Sequence, residues 1–146
     1  FMKYGGGMKL RLSGAALLLN DLNFYGSFVQ QKRTQDKAKD FGILTDKFLD
    51  VSNIINAGSE IGIGENLTIH LGYQQISYNQ KINNIVSTSM DEYNVGGSLQ
   101  YKIDHGSYLK LGYNYIYGEQ GLLVTGTEVK SALELKIPSA EYTILF

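Results

Sequence analysis

Residues 108–118 read Tyr-Leu-Lys-Leu-Gly-Tyr-Asn-Tyr-Ile-Tyr-Gly, and this alternation constrains the fold more than any other feature of the chain. In an extended strand successive side chains point to opposite faces. Leu109, Leu111, Tyr113, Tyr115 and Tyr117 therefore share one face, and Lys110, Gly112, Asn114 and Gly118 the other. The result is a ribbon with one greasy and one wet side. Repeats of this kind about ten residues long are how a β-barrel crosses a membrane.

The same pattern recurs along the chain, and eight strands are expected. They are Met8–Asn20, Asn23–Lys32, Asp50–Gly64, Leu67–Asn79, Tyr93–Ile103, Tyr108–Gly118, Thr127–Ile137 and Ala140–Phe146. In the fourth, Leu67, Ile69, Leu71 and Tyr73 oppose Thr68, His70, Gly72 and Gln74; Gln74-Gln75 before Ile76 and Tyr78 then breaks the phase, as a β-bulge does. In the seventh, Val129, Ser131, Leu133, Leu135 and Ile137 oppose Glu128, Lys130, Ala132, Glu134 and Lys136.

Tight turns are expected at Asn20-Asp21-Leu22, Gly64-Glu65-Asn66, Asp104-His105-Gly106 and Pro138-Ser139, where Asn, Asp and Gly suit hairpin geometry. Gln31–Leu49, Gln80–Glu92 and Glu119–Gly126 are expected as longer loops, the first, rich in Lys and Asp, as a solvated loop or one that holds a helical turn. Short turns at one end and long loops at the other describe an up-and-down membrane barrel. The fold class is thus all-β: an antiparallel up-and-down transmembrane β-barrel of about eight strands, a single domain over residues 1–146, complete or part of a larger barrel.

Composition narrows the class. The chain has 17 Gly, 11 Tyr, one Pro and no Cys, which favours strands and turns and rules out a disulfide or thiolate metal site. A net charge of −1 offers no electrostatic case for nucleic acid as a partner. Mean hydropathy is −0.15, and no apolar run reaches the ~20 residues of a membrane helix.

The hairpin Tyr93–Ile103 with Tyr108–Gly118 resembles those of Gram-negative outer-membrane β-barrel proteins. The ending Glu141-Tyr142-Thr143-Ile144-Leu145-Phe146 resembles their terminal strand, with apolar or aromatic residues at alternate positions (Tyr142, Ile144) and an aromatic last (Phe146). The resemblance is to a class that includes porins and long-chain fatty-acid transporters. It implies a bacterial outer-membrane location, contact with outer-membrane lipids, and recognition of Tyr142, Ile144 and Phe146 by the barrel-assembly machinery. One departure stands out. In a complete eight-stranded member both termini lie on the short-turn side, whereas loop lengths here put Phe146 at the long-loop end. Three resolutions are open: a separate strand Phe1–Tyr4 turning at Gly5-Gly6-Gly7, a larger barrel, or misleading loop lengths. The larger barrel is preferred.

In such a barrel the polar face points inward. Its lumen candidates are Lys9, Arg11, Glu60, His70, Gln74, Lys102, Lys110, Asn114, Glu128, Lys130, Glu134 and Lys136. Charges of both signs there need water or one another, because burial in an apolar core costs several kcal/mol each. Inward glycines (Gly58, Gly62, Gly72, Gly96, Gly112) leave room for a solute, or for curvature and crowded neighbours. Tyr73, Tyr78, Tyr93, Tyr101, Tyr115, Tyr117 and Tyr142 are the candidates for an interfacial aromatic girdle. Gly121-Leu122-Leu123-Val124 reads as an extension of the adjoining strands, or as a segment that meets a hydrophobic solute.

No catalytic constellation emerges. Of the two histidines, His105 falls in a turn and His70 on the inward face, with no Ser and Asp at a spacing that suggests a nucleophile and its base. No metal cluster and no phosphate loop is present, and no cofactor is expected. The expectation is a non-enzymatic barrel that passes small solutes or anchors in the membrane. One alternative is a non-channel barrel serving as a structural or binding subunit of a larger outer-membrane complex. Another is a soluble β-barrel with a lipid inside, since alternation alone does not distinguish inside from outside.

Overall fold

The computed structural model describes residues 2–16, 19–40, 43–82, 85–104, 106–124 and 127–144, with side chains at 14–16, 35–40, 43–48, 81–82, 85–87 and 124 outside the description. The described residues form one antiparallel sheet of seven strands in sequence order: β1 (Met2–Ala16), β2 (Leu19–Asp40), β3 (Ile43–Ile63), β4 (Leu67–Ile82), β5 (Ile85–Lys102), β6 (Ser107–Val124) and β7 (Thr127–Ile144). Every neighbour in sequence is a neighbour in space. The sheet is not closed, and β1 and β7 are its edges. No helix occurs among the described residues.

Two expected turns are present. Gly64 adopts φ +58° in the turn Gly64-Glu65-Asn66, a left-handed backbone that costs glycine little. Between β5 and β6 the Asp104 carboxylate accepts the Gly106 backbone N–H at 2.9 Å, closing a local turn. His105 lies outside the described residues.

Two expected turns are absent, and the strand count is seven rather than eight. Asn20-Asp21-Leu22 belongs to β2. Its polar residues are used there: Asp21 accepts from Arg11 of β1 at 3.1 Å, and the Asn20 side chain donates to the Gly64 carbonyl. Pro138-Ser139 lies inside β7, which is continuous from Thr127 to Ile144. Proline has no N–H to give to a ladder, but an edge strand leaves alternate N–H groups unpaired. Pro138 sits opposite Tyr113 on just such a strand.

The correction reverses β7 but leaves the two edge strands ending on opposite sides, since Met2 pairs with Lys32 on the long-hairpin side. Ile144 pairs with Ser107, beside the tight β5–β6 turn, so β7 ends on the same side as that turn and as Gly64–Asn66. Phe146 lies outside the described residues. The segment Gly5-Gly6-Gly7 makes no turn either; all three pair with β2, opposite Val29, Phe28 and Ser27.

The described residues of the three expected long loops are strand. Residues 31–40 and 43–49 pair across β2 and β3 as far as Asp40 opposite Ile43, residues 80–82 and 85–92 belong to β4 and β5, and residues 119–124 to β6. The expected phase break at Gln74-Gln75 does not occur; the irregularity lies further on, between Gln80 and Lys81.

Candidate functional site: two faces and a polar hollow

Following the register across the sheet assigns each side chain to a face. On one face, Leu12, Leu22, Ile61, Ile69, Leu99 and Leu111 lie at one level, and Phe28, Ile55, Tyr93 and Tyr117 at a higher one. Between them come Leu10, Phe24, Leu71 and Tyr113. From Leu109 to Tyr117 this apolar belt extends about 27 Å along the strand at ~3.4 Å per residue. Above it the same face turns polar, with Gln30, Asn53, Ser77, Asp91 and Glu119 in register.

The belt is uncovered. Leu71, Val95 and Leu99 are each 49% exposed and Leu111 50%, and no large side chain is fully buried among the described residues. A single-layer sheet has nothing of its own with which to cover this face. Fully burying one such Leu or Val is worth about 1.5–3 kcal/mol, so the driving force to cover the belt is large.

Tyrosines mark both margins of the belt. Tyr101 and Tyr142 flank Leu109 at the lower margin. Tyr73 and Tyr115 lie at a higher level, with Tyr93 and Tyr117 just above them. The Tyr93 and Tyr117 rings are 6.5 Å apart at a 32° tilt, and the Tyr73 hydroxyl donates to Gln75 at 3.2 Å. Tyr78 is on the other face. Since the register of β4 runs unbroken through Gln75, Tyr78 lies on the side of His70 and Gln74, beyond the level of the belt.

The opposite face carries Lys9, Arg11, Glu60, His70, Gln74, Lys102, Lys110 and Asn114 together. Arg11 pairs with Asp21 at 3.1 Å, and His70 Nδ1 lies 3.8 Å from Glu60. Lys110 stands opposite Glu141, whose carboxylate accepts from the Tyr108 and Thr143 hydroxyls at 2.9 and 3.0 Å. Higher up, the Gln74 amide donates to Asn56 at 2.9 Å and Asn56 donates to Ser27 at 3.1 Å, an amide ladder across β2, β3 and β4.

β7 departs from this division. Because it is one strand, Glu128, Lys130, Glu134 and Lys136 share a face with Pro138, Ala140 and Tyr142, opposite Leu123, Gly121, Tyr117 and Tyr115. Reading two strands about Pro138 grouped these charges with Lys110; the continuous register groups them with the tyrosines. They pair among themselves and with β6: Lys136 with Glu134 at 2.8 Å, Lys130 with Glu119 at 3.4 Å. Leu133, Leu135 and Ile137 fall on the polar face, beside Ile116 of β6. Leu122, from the apolar stretch 121–124, is also on that face, in strand β6.

The polar face holds a hollow of about 400 Å³ that reaches from Tyr25 on β2 to Ser139 on β7. Glycines create it. Gly58, Gly72 and Gly96 stand side by side on β3, β4 and β5, between Tyr25 and Asn114. The Tyr25 ring lies over Gly58, and the Asn114 side chain over Gly96. Nothing approaches within 4 Å of where a Cβ on Gly72 would lie, so the centre is open.

Glu60, His70 and Ser98 are also neighbours, on β3, β4 and β5. Spacing along the chain gave no sign of this, because it arises only from cross-strand register. His70 Nε2 is buried without a hydrogen-bond partner, and no Ser98–His70 hydrogen bond forms. Among the described residues no group of three or more His, Cys, Asp or Glu is placed to hold a metal ion.

No known protein family model matches the chain, and neither a characterised protein nor a solved structure matches it.

Proposed function

We propose that this chain forms the wall of a bacterial outer-membrane β-barrel, by itself or as part of a larger ring, and that its polar face bounds a passage for small solutes. One observation carries the reading. A continuous apolar belt about 27 Å long crosses neighbouring strands at matched levels and is left exposed. Its nine residues, from Leu109 to Tyr117, suit the roughly 9–11 that a tilted strand needs to cross the hydrocarbon core. Tyr101 and Tyr142 at one margin and Tyr93 and Tyr117 at the other are placed to set their rings in lipid and their hydroxyls among headgroups. The long hairpins then project beyond the headgroups, and the tight turns face the periplasm. The reading assigns no catalysis and no cofactor. Tyr142 and Ile144 take part in recognition by the barrel-assembly machinery.

A soluble barrel with lipid inside needs the apolar face turned inward. The hollow lies on the other face, lined by His70, Gln74, Asn94 and Lys110. A second reading, that the barrel serves as a binding subunit of a larger complex, draws support from β7. Leu133 is 59% exposed and Leu135 41% on the otherwise polar face, an apolar patch suited to a partner.

Flotation and conductance test the proposal. The refolded protein is expected to rise with liposomes in a density gradient, to resist extraction by urea, and to give ion conductance in planar bilayers. A protein that stays monomeric in buffer without detergent and remains at the bottom of the gradient overturns it. Stable insertion without conductance favours the subunit reading.

A further inference from the structure

The hollow on the polar face has a chemistry of its own. We propose that it is a subsite for a neutral, polyhydroxylated solute of saccharide type, a proposal that rests on the polar face bounding a solute passage.

Space comes first. A row of three glycines across adjacent strands removes side chains from the middle of the sheet, and Gly72 faces open space. The walls come next. Amides border the row on two sides: Asn56, Gln74 and Asn94 in register along one, and Asn114 at its end. A carboxamide offers donors and an acceptor together, which suits hydroxyl groups that also do both. Gln74 and Asn56 are fixed by the ladder to Ser27, whereas Asn94 and Asn114 make no side-chain hydrogen bond among the described residues. Tyr25 adds an aromatic ring at the border of the row, over Gly58.

Charge is the third argument. Two ionisable groups line the hollow: His70, whose Nδ1 lies 3.8 Å from Glu60, and Lys110, which has Glu141 opposite in the register but forms no ion pair among the described residues. Every other polar group of the lining is uncharged, so a cation that enters finds no carboxylate there and an anion finds Lys110 alone for the water it gives up. A neutral polyol exchanges hydrogen bonds with water for hydrogen bonds with amides at little cost.

Saturation-transfer NMR on the protein in detergent micelles reads this directly, with glucose as the neutral probe and glutarate and lysine as charged probes of similar size. Transfer to glucose and none to the charged probes is expected. Gly72→Leu puts a side chain into the open centre, where its Cβ meets nothing within 4 Å, and should abolish the glucose signal. Gly6→Leu adds the same side chain on the apolar face, where a Cβ also meets nothing within 4 Å, and should keep it. If circular dichroism shows Gly72→Leu to have lost its sheet, Asn114→Leu carries the test and should also lose the signal. Absence of transfer to glucose in the unsubstituted protein, a signal that survives these substitutions, or stronger transfer to a charged probe overturns the proposal. The result is independent of liposome flotation, so a membrane protein without a saccharide subsite and a saccharide-binding sheet that does not enter membranes give different outcomes.

Discussion

The phenol of Tyr25 on β2 lies over the backbone of Gly58 on β3, directly opposite in the register. A methyl group at position 58 would occupy the space of that ring and stand 2.7 Å from the Leu71 carbonyl oxygen. The ring can swing aside; the carbonyl belongs to a paired strand and cannot. Gly58→Ala is therefore expected to destabilise the sheet by about 1–3 kcal/mol, the usual cost of overpacking. Gly72→Ala, with open space before it, is expected to be neutral or to gain up to ~1 kcal/mol by relieving the strand of a glycine. Urea unfolding of both variants in micelles measures the difference. Equal effects of the two would show that crowding under Tyr25 is not what keeps position 58 small.

Leu71 is at the middle of the apolar belt and half exposed, whereas Ser77, six residues further on, occupies the same face above the belt. On a water-facing surface Leu71→Arg costs almost nothing. Against acyl chains it costs about 2–4 kcal/mol, falling to ~0–1 near the interface. We expect a loss of that larger size for Leu71→Arg and little change for Ser77→Arg, measured by unfolding from phospholipid vesicles. A small effect at both positions would remove the lipid-facing assignment of the belt.

The belt and its turns were legible in the sequence because they depend on local rules. Leu67–Tyr73 and Leu109–Tyr117 alternate with a period of two, and Gly64 and Asp104 supply the backbone freedom and local hydrogen bond of a turn. What lay beyond the belt was not legible. Along β2 from Gln30 to Asp36 both faces are polar, so no amphipathic period marks the strand, and pairing such as that between the Gln30 and Asn53 amides holds it instead. Asn20-Asp21 has turn composition but answers to Arg11 and Gly64, partners far away in sequence. The hollow was half visible: its glycines stood out, but that Gly58, Gly72 and Gly96 are neighbours follows only from register.

Tyr78 lies on the polar face beyond the level of the belt, near Arg33 and Asp50. Partial burial raises the pKa of its phenol above the ordinary value near 10, and the charge of Asp50 and a hydrogen bond to it push the same way. Below the ordinary value both folded and unfolded chains carry the neutral phenol. As pH rises past that value the unfolded chain ionises first, so this site's contribution to stability declines until the folded phenol also ionises. Phenolate absorbance, with Tyr78→Phe subtracted, should show late titration of one tyrosine. Asp50→Asn should bring it earlier without restoring the ordinary value, because burial remains. A Tyr78 that titrates with the exposed tyrosines would contradict the packing on this side of β4.

β7 supplies the sharpest test of the relation between register and environment. Below Pro138 its apolar residues, Ala140, Tyr142 and Ile144, share the face of Leu109 and Leu111; above it, Leu133, Leu135 and Ile137 take the opposite face. A strand has a period of two, so removing one residue reverses the faces of everything on one side of the deletion. Deleting Ser139 while the lower half stays in place would carry Leu133, Leu135 and Ile137 onto the belt face and move Glu134 and Lys136 to the polar side. The pairs Lys136–Glu134 and Lys130–Glu119 are exposed, and exposed ion pairs contribute only ~0–1 kcal/mol each. If the belt faces lipid, the added apolar area outweighs that loss, and the deletion variant should be at least as stable in vesicles as the parent. Deleting Gly112 instead reverses half of β6, between two paired neighbours, and should prevent insertion altogether. A Ser139 deletion that unfolds like the Gly112 deletion would show that Leu133, Leu135 and Ile137 are needed on the polar face, and would favour a partner bound there.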